Sequence, residues 1–174
     1  MKKAIFLDRD GVINIDKNYV YKISDFEFVP KIFDILKYLQ DLDYLLFIIT
    51  NQSGIGRGYY LEEDFLKLNN WMINELKKEN IFISQVEFCP HHPIENCNCR
   101  KPEKGMIENI LKNYDLDLSN SWLIGDKLSD IECAKKTGIK NTIRINNDML
   151  VNNKMSEFHY ECKSINFIKN IIVK

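Results

Sequence analysis

The segment IFLDRDGVI, residues 5–13, sets two carboxylates, Asp8 and Asp10, at alternate positions where an apolar run ends. Strand side chains alternate, so both can point to the same side while Gly11 lets the chain turn away. Carboxylates sharing a pocket repel each other, and a hard cation such as Mg²⁺ relieves the repulsion. The pair suits a nucleophile beside a proton shuttle, although a lone Asp-X-Asp-Gly also occurs in solvated loops. In FIITNQSGIGRG, residues 47–58, an apolar strand leads into Thr50 and Asn51. A hydroxyl, an amide and the free N–H groups of a glycine-rich turn can all donate to phosphate oxygens there. Arg57 adds a charge that a simple capped turn would not need. CRKP, residues 99–102, joins the guanidinium fork of Arg100 to the compact ammonium of Lys101. WLIGDKLSD, residues 122–130, brings Asp126 to the sheet edge that carries Asp8 and Asp10. Three acids from separate segments describe a Mg²⁺ site better than any pair. Asp130 stays open between that edge and the start of a helix, where an acid is favoured in any case.

Residues 89–101 read CPHHPIENCNCRK. Cys89 with His91, and Cys97 with Cys99, form two short pairs that can close on one tetrahedral ion. A sulfur-rich shell of four ligands is the pattern of structural Zn²⁺. His92 competes with His91 for the histidine position. An unligated loop would leave three thiols close together without a reason, and a Cys97–Cys99 bridge would be badly strained. Tying this loop to zinc would hold Arg100 and Lys101 in place, which an irregular loop cannot do unaided.

The elements that must position these groups alternate along the chain. Apolar runs of strand length lie at 4–7, 44–50, 83–88, 121–124 and 142–145. Between them come helical patterns. One runs from Pro30 through Ile32, Ile35, Leu36 and Leu39; a second carries Leu61, Phe65, Leu68, Met72 and Leu76. The second has Glu62, Glu63 and Asp64 in its first turn and Lys77 and Lys78 in its last, as the helix dipole favours. A third passes through Ile107, Ile110, Leu111 and Tyr114, a fourth covers 129–138, and a fifth begins at Ser164 with Ile165, Ile168 and Ile172. This order predicts an α/β fold: a single doubly wound, mostly parallel sheet whose ligands gather beyond the carboxyl ends of its strands. Two inserts break the rhythm, roughly 20 residues after the first strand and the Cys/His segment after the third, and long inserts are commonly functional.

Composition narrows the classes. With 174 residues, one domain over 1–174 with a real core is expected. Lysine and arginine total 24 against 25 acids, a net charge of −1, so no chain-wide field would hold nucleic acid or an anionic membrane. The N-terminal MKKAIFLDRD has too short an apolar run for a signal peptide, and nothing approaches a membrane span. Neither internal repeats nor low-complexity stretches are present. A soluble protein of the reducing cytoplasm is expected, in which clustered cysteines serve as metal ligands rather than disulfides. Cys133 and Cys162 are left as packing or surface thiols.

Together the four segments resemble the haloacid dehalogenase superfamily of phosphatases, in its histidinol-phosphate phosphatase-like branch, over roughly residues 4–145. Where that family often has Thr after the first-motif glycine, this chain has Val12. The resemblance implies a two-step phosphoryl transfer in which Asp8 is the nucleophile and Asp10 the acid and then the base. Thr50 and Lys101 would neutralise the phosphoryl charge, and Mg²⁺ would be held by Asp8, the Asp10 carbonyl and Asp126. It further implies substrate contacts from Arg9, Asp16, Lys17, Asn18, Tyr19, Asn51, Gln52, Ser53, Arg100 and Lys127, and it favours His91 as the zinc-binding histidine.

Within the branch, the TNQSGIGRG, DKNYV, FEF and GDKLSD wording is closer to the heptose-1,7-bisphosphate 7-phosphatases. The short spacing of the two cysteine-containing pairs is shared with histidinol-phosphate phosphatases. The substrate expected is a small phosphorylated sugar, handled by a monomer. Superfamily DNA 3′-phosphatases share the glycine-arginine wording, but the balanced charge and the zinc loop speak against nucleic acid. A non-catalytic zinc module would not need all the acids and cations at once. No stretch is left for a separate cap domain, so enclosure falls to residues 12–29 and the zinc loop.

Overall fold

A computed structural model describes residues 1–148, 153–154 and 156–173. β1 (Ala4–Leu7) is paired in parallel with β2 (Leu45–Asn51) on one side and with β4 (Trp122–Gly125) on the other. β3 (Ile83–Cys89) extends the sheet beyond β2, and β5 (Asn141–Ile145) and β7 (His159–Cys162) extend it beyond β4. A two-residue antiparallel strand, β6 (Asn153–Lys154), closes the order β3-β2-β1-β4-β5-β7-β6. The chain winds outward from β1 through β2 to β3, then returns to β4 on the opposite side of β1. The crevice at that reversal, beyond the carboxyl ends of β1 and β4, is where such sheets bind ligands.

Alternation along the strands divides the core between two faces. Ile5, Leu7, Leu46, Ile48 and Ile124 pack with α1 (Ile32–Asp41), α3 (Glu62–Lys78) and Ile165 and Ile168 near the C-terminus. Ala4, Phe6, Phe47, Ile49 and Leu123 pack with α4 (Gly105–Leu111) and α5 (Leu128–Thr137). A short helix, α2 (Ser53–Gly56), follows β2 directly. None of the described helices is long and apolar enough to cross a membrane.

The expected strands are all present, with ends displaced by about one residue, as hydrogen-bond assignments commonly are. The first helix starts at Ile32 rather than Pro30, because Lys31 has φ 71°, outside helical geometry. The third stops at Leu111, and Tyr114 lies beyond it, donating its hydroxyl to the Ser84 carbonyl at 2.8 Å. The fifth splits into a 3₁₀ turn, Ile165–Phe167, capped by the Ser164 side chain, and a single turn, α6 (Ile168–Ile171). β7 was not expected, since HYEC carries no apolar run.

The insert after β1 is fastened to the core. Val29 N–H donates to the Ile13 carbonyl and Ile15 N–H to that of Glu27, while Phe26 and Phe28 meet Trp71 of α3 at centroid distances of 5.4 and 5.9 Å. Leu36 is fully buried in α1, whereas Leu61, just ahead of α3, is 67% exposed. Leu36→Ala is expected to cost about 2–5 kcal/mol and Leu61→Ala no more than about 0.5 kcal/mol, measured by denaturant unfolding.

Candidate active site

Asp8 continues from β1, its N–H still donating to the Ile124 carbonyl at 2.9 Å. The chain then turns at Gly11, where φ is 87° and a Cβ would stand 2.6 Å from Asp126 Oδ2. Only glycine permits both that conformation and that approach. Asp126 follows β4, and Asp130 stands in the first turn of α5, completely buried. Carboxylate oxygens of Asp8, Asp126 and Asp130 lie within 4.8 Å of one another. Burial, with help from the neighbouring acids and against the pull of Lys101, pushes the Asp8 carboxyl up to about 7. Burial raises Asp126 as well, reinforced by Asp130 and Asp16. Asp126 Oδ1 is buried without a hydrogen-bond partner. Oxygen-rich, over-acidic and holding an unsatisfied carboxylate oxygen, the cluster fits a hard divalent cation.

The internal counter-charge is Lys101. Its Nζ lies 3.0 Å from Asp8 Oδ1 and 2.6 Å from Asp130 Oδ1, and it donates to the Ile49 carbonyl at 2.8 Å. Burial alone would lower its pKa, but Asp130 and Asp8 outweigh that and raise it, so it stays charged. Asn51 holds the Lys101 backbone from both sides, accepting its N–H at 3.0 Å and donating to its carbonyl at 3.1 Å. Asp130 serves in both capacities left open above. It accepts the Lys127 N–H at 3.0 Å as a helix cap and pairs with Lys101 across the site.

Asp10 is gripped by four donors. Arg9 Nε and Nη2 lie at 3.2 and 2.9 Å, Asn14 Nδ2 at 3.0 Å and Gln52 Nε2 at 3.1 Å. Gln52 also donates to Thr50 Oγ1 at 2.8 Å and accepts the Tyr60 hydroxyl at 2.6 Å. A cavity of about 320 Å³ opens over these groups. Of the expected residues it is lined by Asp8, Asp10, Asp16, Asn18, Tyr19, Asn51, Gln52, Ser53, Arg100, Lys101 and Lys127. Arg100 Nη1 is buried there without a partner, a donor available to an anion.

Two expectations are corrected. Arg9 lies beneath the cavity, 1% exposed; it clamps Asp10 and the Val20 carbonyl, over the ring of Phe65. Lys17 turns away and pairs with Glu27 at 3.0 Å. Thr50 is 1% exposed, and its Oγ1 accepts from Gln52, a residue of the lining. Asp126 opens onto an adjoining cavity with Gly11 and Arg144. Tyr60 and Ser129 line the site although neither was expected there. Ser129 lies inside the DKLSD segment and was within reach of the motif; Tyr60 sits in an aromatic pair that carries no chemical pattern of its own.

Cys89, His91, Cys97 and Cys99 converge. Cys89 Sγ is 3.5 Å from His91 Nδ1 and 3.5 Å from Cys97 Sγ; Cys99 Sγ is 3.1 Å from His91 Nδ1 and 3.5 Å from Cys97 Sγ. Zinc bonds of about 2.3 Å to sulfur and about 2.0 Å to nitrogen in a tetrahedron put the ligand atoms roughly 3.5–3.8 Å apart, close to the 3.1–3.5 Å of these four contacts, so a small adjustment would fit the side chains to that ion. His92 instead accepts the Ile94 N–H and caps the 3₁₀ turn Pro93–Glu95. The loop is packed against both neighbours. A Cβ on Gly56 would stand 2.3 Å from the His92 nitrogen, and one on Gly105 2.7 Å from the Asn98 carbonyl oxygen.

A family model described as HAD-hydrolase-like matches residues 98–143. The D-glycero-alpha-D-manno-heptose-1,7-bisphosphate 7-phosphatase of Campylobacter jejuni is 48% identical over 167 residues, 96% of each chain. The D-glycero-beta-D-manno-heptose-1,7-bisphosphate 7-phosphatase of Helicobacter pylori strain 26695 is 42% identical over 173 residues, 98% of this chain and 97% of its own. The crystal structure of D,D-heptose 1,7-bisphosphate phosphatase from B. bronchiseptica, complexed with magnesium and phosphate, superposes with a TM-score of 0.85 at 28% identity, covering 97% of both chains. With identity this high over nearly the whole chain, on the same sheet, the chain belongs to the D-glycero-D-manno-heptose-1,7-bisphosphate 7-phosphatase family of haloacid dehalogenase-like hydrolases.

Proposed function

We propose that the chain is a Mg²⁺-dependent phosphatase that removes the 7-phosphate of D-glycero-D-manno-heptose 1,7-bisphosphate and leaves heptose 1-phosphate. The observation that carries this reading is Asp8 and Asp10 facing one cavity with Arg100 and Lys101, beside a carboxylate cluster with an unsatisfied oxygen. Asp8 attacks phosphorus as the bond to the sugar oxygen breaks, forming an aspartyl phosphate, and Asp10 gives its proton to the departing oxygen. Asp10 then takes a proton from water as that water attacks the aspartyl phosphate, releasing inorganic phosphate and restoring Asp8. The Arg9 N–H and Lys101 both engage Asp8 Oδ1, which leaves Oδ2 to react. Thr50, Lys101 and Arg100 supply donors and charge to the phosphoryl oxygens. Asp8, Asp126 and the Asp10 carbonyl would hold Mg²⁺, which when bound adds positive charge against those oxygens.

Cys89, His91, Cys97 and Cys99 would hold a structural Zn²⁺ that keeps Arg100 and Lys101 in register. Asp16, Asn18, Tyr19, Ser53 and Lys127 are positioned to meet the sugar and its remaining phosphate. We take residues 1–174 as one phosphatase unit, enclosed by the insert at 12–29 and the zinc loop at 89–101. It acts as a cytoplasmic monomer on a small soluble substrate. The relatives carry both anomeric names, so the anomer is a matter for assay.

Phosphate release with Mg²⁺ should be greatest for heptose 1,7-bisphosphate, supplied in both anomers, and low for histidinol phosphate and for a 3′-phosphorylated oligonucleotide. Preference for histidinol phosphate would replace this reading. Asp8→Asn should lower kcat by about 10³-fold or more while leaving the circular dichroism spectrum unchanged, because it removes charge but little volume. Retained turnover would sink the mechanism. Cys99→Ser should lose zinc by metal analysis and lower kcat/KM by roughly 10–100-fold although Cys99 does no chemistry. Full activity without zinc would refute the supporting role.

A further inference from the structure

Tyr60 borders the cavity, and its hydroxyl meets the side-chain carbonyl of Gln52 at 2.6 Å. The ring is fixed from two sides. It stacks on Tyr21 of the insert with centroids 4.8 Å apart and planes 7° from parallel, and it occupies the space where a Cβ on Gly54 would sit, 2.1 Å from Tyr60 Cε1. The orientation of the Gln52 amide follows from its neighbours. The Asp10 oxygen it meets, Oδ2, already accepts from Arg9 Nε, so the amide nitrogen faces Asp10, and the carbonyl oxygen, which can only accept, faces Tyr60. Tyr60 is therefore the donor. Burial pushes its phenol up to about 12, so the proton is present throughout the working range.

The second Gln52 N–H donates to Thr50 Oγ1. That bond occupies one lone pair of Thr50 Oγ1, so the Thr50 hydroxyl proton must point elsewhere. We propose that Tyr60 is a positioning residue: through Gln52 it sets the hydrogen-bond direction of Thr50 and holds the Asp10 carboxylate in place, so one phenolic hydroxyl outside the reacting shell orders a phosphate donor and the proton shuttle together. Without it, Gln52 Oε1 is a buried acceptor left unpaired, and the amide has no reason to keep both donors on their targets.

This inference rests on the phosphatase reading above. Tyr60→Phe keeps the ring contacts and removes only the hydroxyl. With heptose 1,7-bisphosphate, kcat is expected to fall several-fold, up to about tenfold, with KM changed by no more than about twofold, because the oriented donors matter most in the transition state. Gln52→Ala should lose at least as much, and the double variant no more than Gln52→Ala alone, since the hydroxyl acts through the amide. Losses that multiply, or a kcat for Tyr60→Phe equal to the parent's, overturn the relay. A parent inactive toward every ester of the substrate panel refutes the phosphatase reading instead. In that case calorimetric titration with orthovanadate and Mg²⁺ tests the relay by itself. Weaker binding by Tyr60→Phe, not additive with Gln52→Ala, is expected; equal binding, additive losses or no binding by the parent overturns it.

Discussion

Three carboxylates with oxygens within 4.8 Å of one another repel strongly when buried, and the fold tolerates them because ammonium groups oppose them: Lys127, 3.9 Å from Asp126 Oδ2, and above all Lys101, held between Asp8 and Asp130. Much of the surrounding structure follows from the need to hold that cation. Lys101 belongs to no helix or strand, so its backbone is fixed from outside by Asn51, at the end of β2. The Cys/His cluster ends immediately before Arg100 and Lys101 and is itself packed on α2 and α4. A cation set in this way balances charge without rearranging during reaction, the kind of preorganisation that makes buried electrostatics effective in catalysis.

The sheet supplies the other half of that geometry. Because the chain reverses direction at β1, the strands that end in Asp8 and Asp126 are neighbours, and β2, ending in Thr50 and Asn51, lies on the far side of β1. Residues remote in sequence thereby meet at one edge, while alternate side chains of the same strands anchor two hydrophobic layers. The site is built on the most rigid elements present. The insert and the loop at 89–101, which add to the lining, are irregular, and each is tied down: the insert by Phe26, Phe28 and Trp71, the loop by its backbone packed against Gly56 and Gly105.

The parallel sheet, its five main strands and the carboxylates at their ends were legible in sequence because apolar runs ending in polar residues recur at regular intervals. The convergence of Cys89, His91, Cys97 and Cys99 was legible for a similar reason: short pairs of metal-ligating side chains in one segment have few other uses where disulfides are not expected. What escaped depends on directions that spacing does not encode. Arg9, next to Asp8, looks like a substrate contact, but its guanidinium folds beneath the cavity onto the Asp10 carboxylate and the Val20 carbonyl. Lys17 belongs to a stretch whose neighbours line the cavity, yet it finds Glu27 across the insert. Asp130 could have been cap or site residue and is both, since its two oxygens face different partners. Tyr60 could be assigned only once Gly54 and Tyr21 were seen to hold its ring. β7 is short and half polar, and it forms because β5 offers it an edge.

The loop that carries the Cys/His cluster is anchored near its base, with Gly56 against His92 on one side and Gly105 against Asn98 on the other, while its tip, with Ile94 78% exposed, reaches into solvent. The reacting groups are therefore insulated from whatever happens at that tip. Residues could be inserted between the two ligand pairs, or the tip rebuilt for a different rim, with little loss of stability, since loop-closure entropy grows only slowly with length. Such a division confines change at the tip to a surface that does not line the cavity.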